Sequence, residues 1–162
     1  MTQLDPSAPT APIDVACDNG RTVVDVRGPR FGAAVTTVVL GLVLLTIPSP
    51  VAVALLVVQT VVFGLGALVG LKAQPYGVFF RRVVRPRIGP ATELEDAAPP
   101  RFAQTVGLGF ALVGLVALLL GATTVAYVAV AFAFAAAFLN AAFAFCLGCE
   151  VYLLGKRVLH RA

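Results

Sequence analysis

Four long apolar runs, separated by short polar segments, leave this chain few ways to fold. They are Phe31–Ile47, Val51–Leu71, Phe102–Leu120 and Val125–Leu147. A helix crosses the hydrocarbon core with about 20 predominantly apolar residues, in a range of roughly 17–25, and each run meets that requirement. Only 12% of residues are charged and the mean hydropathy is +0.95, whereas a soluble domain carries about twice that charged fraction. The polar remainder is too short for a second globular domain. The expected fold is an all-α membrane protein with four transmembrane helices.

The charges set an orientation. Arg21, Arg27 and Arg30 precede the first span; Lys72, Arg81, Arg82, Arg85, Arg87 and Arg101 lie between the second and third; Lys156, Arg157 and Arg161 follow the fourth. All twelve basic residues thus fall on one side, and the opposite turns, Pro48-Ser49-Pro50 and about 121–124, carry no charge. The positive-inside rule puts both termini and the central loop in the cytoplasm. The expected location is a bacterial cytoplasmic membrane, crossed several times. The net charge of +4 reflects this topology, since no basic stretch is interleaved with solvent-facing aromatics as nucleic-acid binding requires.

No removable signal peptide is evident, because the first apolar run follows thirty residues that include Asp5, Asp14, Asp18 and Asp25. Residues 1–23, rich in Pro, Ala, Thr and Asp, read as a disordered cytoplasmic tail. Residues 24–162 read as the transmembrane domain. Pro29-Arg30-Phe31 opens the first span and Pro100-Arg101-Phe102 the third; Arg81-Arg82-Val83 follows the second and Lys156-Arg157-Val158 the fourth. The chain thus reads as two tandem helical hairpins, about 29–88 and 100–160, repeated in parallel. Gly66 and Gly70 form a GxxxG spacing expected to pack helices within the bundle. Phe79–Ile88, with Phe79, Phe80, Val83 and Val84 among four arginines, is expected in the headgroup region of the lipid bilayer. Gly89–Pro100 reads as an exposed acidic loop.

Cys146-Leu147-Gly148-Cys149 lies where the fourth run meets water. At helical spacing the two thiols share a face, with Glu150 one turn from Cys146. Asn140 points away from them and is assigned to interhelical hydrogen bonding. A continuous helix would set the thiols at a negatively polarised C-terminus and make them sluggish. A break at Gly148, with a restart near Glu150, would instead set them beside a helix start, where nearby arginines favour the thiolate. Redox or sulfur-carrying chemistry, metal or Fe–S ligation in an oligomer, and simple packing all fit the spacing. Glu150 is the candidate proton acceptor, and Arg81, Arg82 and Arg157 are the candidate cations. At the repeat offset Gln74 takes the place of Cys149, so the Gln74-Pro75-Tyr76 corner is expected at the same depth and able to face the dithiol. Cys17, in the tail, reads as a free thiol or a resolving one. The lone His160 lies in a basic tail, and no sequence motif calls for a cofactor or for a metal bound by this chain alone.

Three segments together resemble the bacterial domain of unknown function 4395 family, made up of actinobacteria-type integral membrane proteins. They are Val24–Phe31 (VDVRGPRF), Arg85–Gln104 (RPRIGPATELEDAAPPRFAQ) and Leu139–Tyr152 (LNAAFAFCLGCEVY). The family has no established activity. Its members are thought to be encoded near thioredoxin-like or rhodanese-like proteins, and the resemblance therefore implies thiol or sulfur handling at Cys146 and Cys149. The expected function is thiol redox or sulfur transfer with such a soluble partner. The rivals are a transport subunit for a small anionic sulfur species, working as a homo-oligomer, and a non-catalytic scaffold. Whether the chain is an enzyme stays open at this stage.

Overall fold

The computed structural model describes residues 15–18, 21–89, 91 and 93–159. In chain order the elements are strands β1 (Val15–Asp18) and β2 (Arg21–Asp25), then helices α1 (Arg27–Thr46) and α2 (Pro50–Gly64), the latter running on through a wider π turn, Leu65–Val69. Helix α3 (Pro75–Phe79) continues through a second π turn, Phe80–Val84, into α4 (Arg85–Ile88). Strand β3 (Leu94–Asp96) and helices α5 (Ala98–Leu119), α6 (Thr123–Phe143) and α7 (Leu147–Leu159) complete the chain.

Four helices are long and apolar enough to cross a membrane: α1, α2 with its π turn, α5 and α6. Their outer faces expose Leu45, Leu68, Leu119 and Phe132 at 62–83%, a continuous apolar surface that water would not tolerate. Local signals set their ends. Pro50 opens α2, and the Ser49 hydroxyl accepts the Ala52 N–H at 3.4 Å. Gly121, at φ 75°, turns the chain between α5 and α6.

Helix α1 packs against α2 and α6, and α5 packs against the same two. Where apolar lipid surrounds the bundle, close packing and small residues hold helices together. Gly114 lies so close to Val130 that a Cβ there would come within 3.0 Å of Val130 Cγ2, and Gly107 stands in the same relation to the Phe63 ring at 2.9 Å. Gly66 packs on Gln104 of α5, so that part of the GxxxG spacing lies inside the bundle. Leu40, Val43, Ala52 and Leu56, each 0% exposed, form the core toward the uncharged end.

The half of the bundle toward the basic end is more polar. Gln59, at the middle of the second span and 0% exposed, donates Nε2 to Thr36 Oγ1 (3.3 Å) and accepts the Tyr76 hydroxyl (3.0 Å). Interhelical bonds of this kind contribute roughly 0.6–2 kcal/mol each. Above Thr36 on the same face of α1 come Leu40 and Val43, so the polar column ends at an apolar plug.

Two arginines tie the hairpins together. Arg101, at the start of α5, donates Nε to Ala67 O (2.8 Å) and a terminal nitrogen to Leu68 O (3.0 Å), at the end of the second span. Arg30, at the start of α1, donates to Ala141 O (3.4 Å), at the end of α6. Each entry arginine thus meets helix-end carbonyls at the exit of the other hairpin.

Two regions differ from expectation. Val15–Asp18 and Arg21–Asp25, which read as the end of a disordered tail and the approach to the first span, are antiparallel strands, and Leu94–Asp96, in the supposed acidic loop, adds a third. The register sets Val24 opposite Glu95, and the backbone pairing outweighs the polar composition. Glu95 is half-buried, and that burial raises its carboxyl above the ordinary range. Cys17 lies in β1, with Thr22 as its backbone partner. Residues 1–14 of the tail, together with His160 and Arg161, lie outside the described residues.

Candidate functional site

The fourth apolar run reads through to Leu147, yet α6 stops at Phe143. Ala144 takes the left-handed conformation at φ 56°, and the N–H groups of Ala144 and Phe145 both turn back to Leu139 O. This is a helix-ending cap usually built on glycine. The chain restarts at Leu147, so the break precedes Cys146 and does not fall at Gly148.

That displacement reverses the electrostatic setting of the thiols. Cys146 stands at the N-terminal boundary of α7, where its carbonyl accepts the Glu150 N–H at 3.0 Å and its Sγ accepts the Cys149 N–H at 3.3 Å. The sulfur occupies the position that a serine or aspartate oxygen takes at an N-cap. Cys146 and Cys149 are joined as a disulfide, with Cα atoms 5.2 Å apart, and both residues are half-buried. Helix α7 is held on α5 by a close approach of Gly148 to Ala103 and by the Phe102 and Tyr152 rings, 5.7 Å apart.

The other candidates are distributed differently. Glu150 is exposed in the first turn of α7. Arg157 is exposed in the last turn, eleven residues and so about 16 Å along the axis from Cys146. Gln74, Tyr76, Arg81 and Arg82 belong to the segment that packs on α1, whereas α7 packs on α5 and α6. The structure therefore brings Cys146 and Cys149 together and gathers Gln74, Tyr76 and Arg81 at a separate corner. Burial raises the Tyr76 phenol above its usual range. Burial and, after it, the neighbouring Arg82 lower Arg81. Asn140, expected to bond between helices, makes no side-chain hydrogen bond among the described residues. Gln59 does so instead, and its signal was available as a glutamine at the centre of an apolar run. Among the described residues no three His, Cys, Asp or Glu side chains are grouped to hold a metal ion.

A family described as a domain of unknown function (DUF4395) matches residues 24–157. No curated protein and no solved structure matches the chain.

Proposed function

The chain belongs to the DUF4395 family, and we propose that it is a membrane-anchored dithiol that exchanges electrons or sulfane sulfur with a soluble thiol protein of thioredoxin-like or rhodanese-like chemistry. The observation that carries this reading is the position of Cys146. Its sulfur is at the start of α7 and accepts the Cys149 N–H, an environment that stabilises a thiolate.

In the redox branch the Cys146 thiolate attacks one sulfur of the partner's disulfide. A mixed disulfide forms and one partner thiolate leaves. Cys149, losing its proton to solvent or Glu150, then attacks the Cys146 sulfur and releases the second partner thiolate. Two electrons pass to the partner and the Cys146–Cys149 disulfide remains. In the sulfur branch the Cys146 thiolate takes the terminal sulfur of a partner persulfide, and the partner thiolate leaves.

The setting is a bacterial cytoplasmic membrane with both termini and the dithiol in the cytoplasm, supported by the segregation of Lys and Arg. Reporter fusions at Ser49 and Thr123 should both read as external; a cytoplasmic signal at either would sink this orientation. The two hairpins are proposed as copies of one unit, supported by the reciprocal Arg30 and Arg101 contacts. The transport reading is less well supported, because Leu40, Val43 and Leu56 close the polar column within one chain.

The function is tested by trapping. With Cys17 removed, Cys149→Ser should accumulate a mixed disulfide or persulfide on Cys146 in native membranes, and Cys146→Ser should not accumulate one on Cys149. Absence of any adduct on Cys146 would reduce the pair to packing residues.

A further inference from the structure

We propose that α7 is an interfacial helix, docked by one apolar stripe onto the headgroup–acyl boundary of the lipid leaflet at the basic end of the bundle. Leu147, Val151, Leu154 and Val158 recur at the spacing of a single helix face, and they are 40–62% exposed. The face that packs on α5 is a different one, carried by Gly148 and Tyr152. Beyond Tyr152 every residue through Val158 is exposed.

The depth of α7 selects the occupant. The Phe145 N–H returns to Leu139 O at 3.3 Å, so the link from α6 to α7 stays at the level where the fourth span ends. Gly148 lies against Ala103, five residues after the first residue of α5 and so about 7.5 Å along that span. The first turns of α7 therefore stand at the edge of the spans. Phe143 and Phe145, just before them in the chain, are also exposed, and no charged residue separates these rings from Leu147. The apolar surface of the fourth span thus runs on into α7. A soluble protein or a second copy would have to cover the stripe at a depth that lipid already occupies.

Charge agrees with that depth. By the 3.6-residue period Lys156 falls on the side opposite the stripe, with Glu150 and Arg157 on its flank. One apolar face with a basic, polar remainder is the pattern of a helix that lies in the membrane interface. Lys156 and Arg157 bring positive charge to that level, as anionic headgroups favour. Docked in this way, α7 holds its own start, with Cys146, at headgroup depth.

The docking does not depend on the dithiol, so it is tested in the full chain with Cys17, Cys146 and Cys149 replaced by serine. Single cysteines introduced by Val151→Cys, Leu154→Cys, Val158→Cys and Lys156→Cys carry an environment-sensitive fluorophore. Each protein is placed in nanodiscs of phosphatidylcholine and phosphatidylglycerol that hold one chain. Labels at 151, 154 and 158 should be quenched more by nitroxide on the lipid headgroups than by iodide in the water, and the label at 156 should show the reverse order. Leu154→Asp with Val158→Asp should turn the label at 151 from lipid quenching to iodide quenching. A label introduced by Leu119→Cys, on the outer face of α5, should keep its lipid quenching in that background if the bundle is intact. The proposal is overturned if the stripe and position 156 are equally open to iodide, since α7 would then stand in water. It is also overturned if the stripe is shielded from both quenchers, or shielded only in discs that hold two chains, since protein would then be the occupant.

Discussion

With Cys149 replaced by serine, Cys146 should be alkylated faster at pH 7 than Cys149 is in Cys146→Ser, because a helix start favours the thiolate. The cause is position: Cys146 sits at the start of α7 and its sulfur accepts the Cys149 N–H, whereas Cys149 lies inside the first turn. A thiolate stabilised in the folded chain survives to lower pH, so the advantage of Cys146 should hold at and below neutral pH and be lost as pH rises and both thiols ionise. The rate advantage at pH 7 should be about threefold, smaller than the gain in thiolate, because nucleophilicity falls as the pKa falls. Serine at 146 preserves the cap, so lost chemistry in that variant cannot be ascribed to a lost helix start. Equal alkylation rates of the two thiols at pH 7 would remove the basis for naming Cys146 the nucleophile.

Gly148→Val should detach α7 from α5. A Cβ at 148 would stand 2.7 Å from both Cα and Cβ of Ala103, and neither atom can swing aside as a flexible side-chain end could. Overpacking of this kind costs about 1–3 kcal/mol. Here the outcome is local, since α7 meets the bundle through α5 and, more lightly, α6. The expected readouts are faster protease cleavage within α7 and faster alkylation of the reduced thiols, with the four spanning helices retained. Gly155→Val is the control, because a Cβ at 155 meets nothing within 4 Å. If Gly148→Val left both rates unchanged, the Gly148–Ala103 contact would not be what holds α7.

The spans were legible because hydropathy and length are properties of composition, and the start of α2 is marked by Ser49 and Pro50 in the sequence itself. The break after Phe143 was not legible. No glycine or proline stands at Ala144, the apolar run continues to Leu147, and hydropathy records what a segment dissolves in without recording its direction. The turn is sustained by contacts remote in sequence, among them Arg30 on Ala141 and Ala103 under Gly148. The three strands were hidden for a related reason: β2 pairs with β3 across some 70 residues, and neither strand alternates strongly enough to announce itself. At the candidate site the thiols and their spacing could be read directly. The end of the helix dipole that they would meet could not, since it depends on where α6 stops.

The reciprocal arginine contacts bear on how the chain is made. At the moment the second span has been synthesised, the carbonyls of Ala67 and Leu68 still lack the donor they have in the finished protein, which arrives only with Arg101. Arg30, by contrast, waits through most of translation for Ala141. A chain cut between the hairpins therefore yields two fragments that each carry the other's missing end group, and co-expressed halves should find each other in the bilayer where either alone is left to turnover.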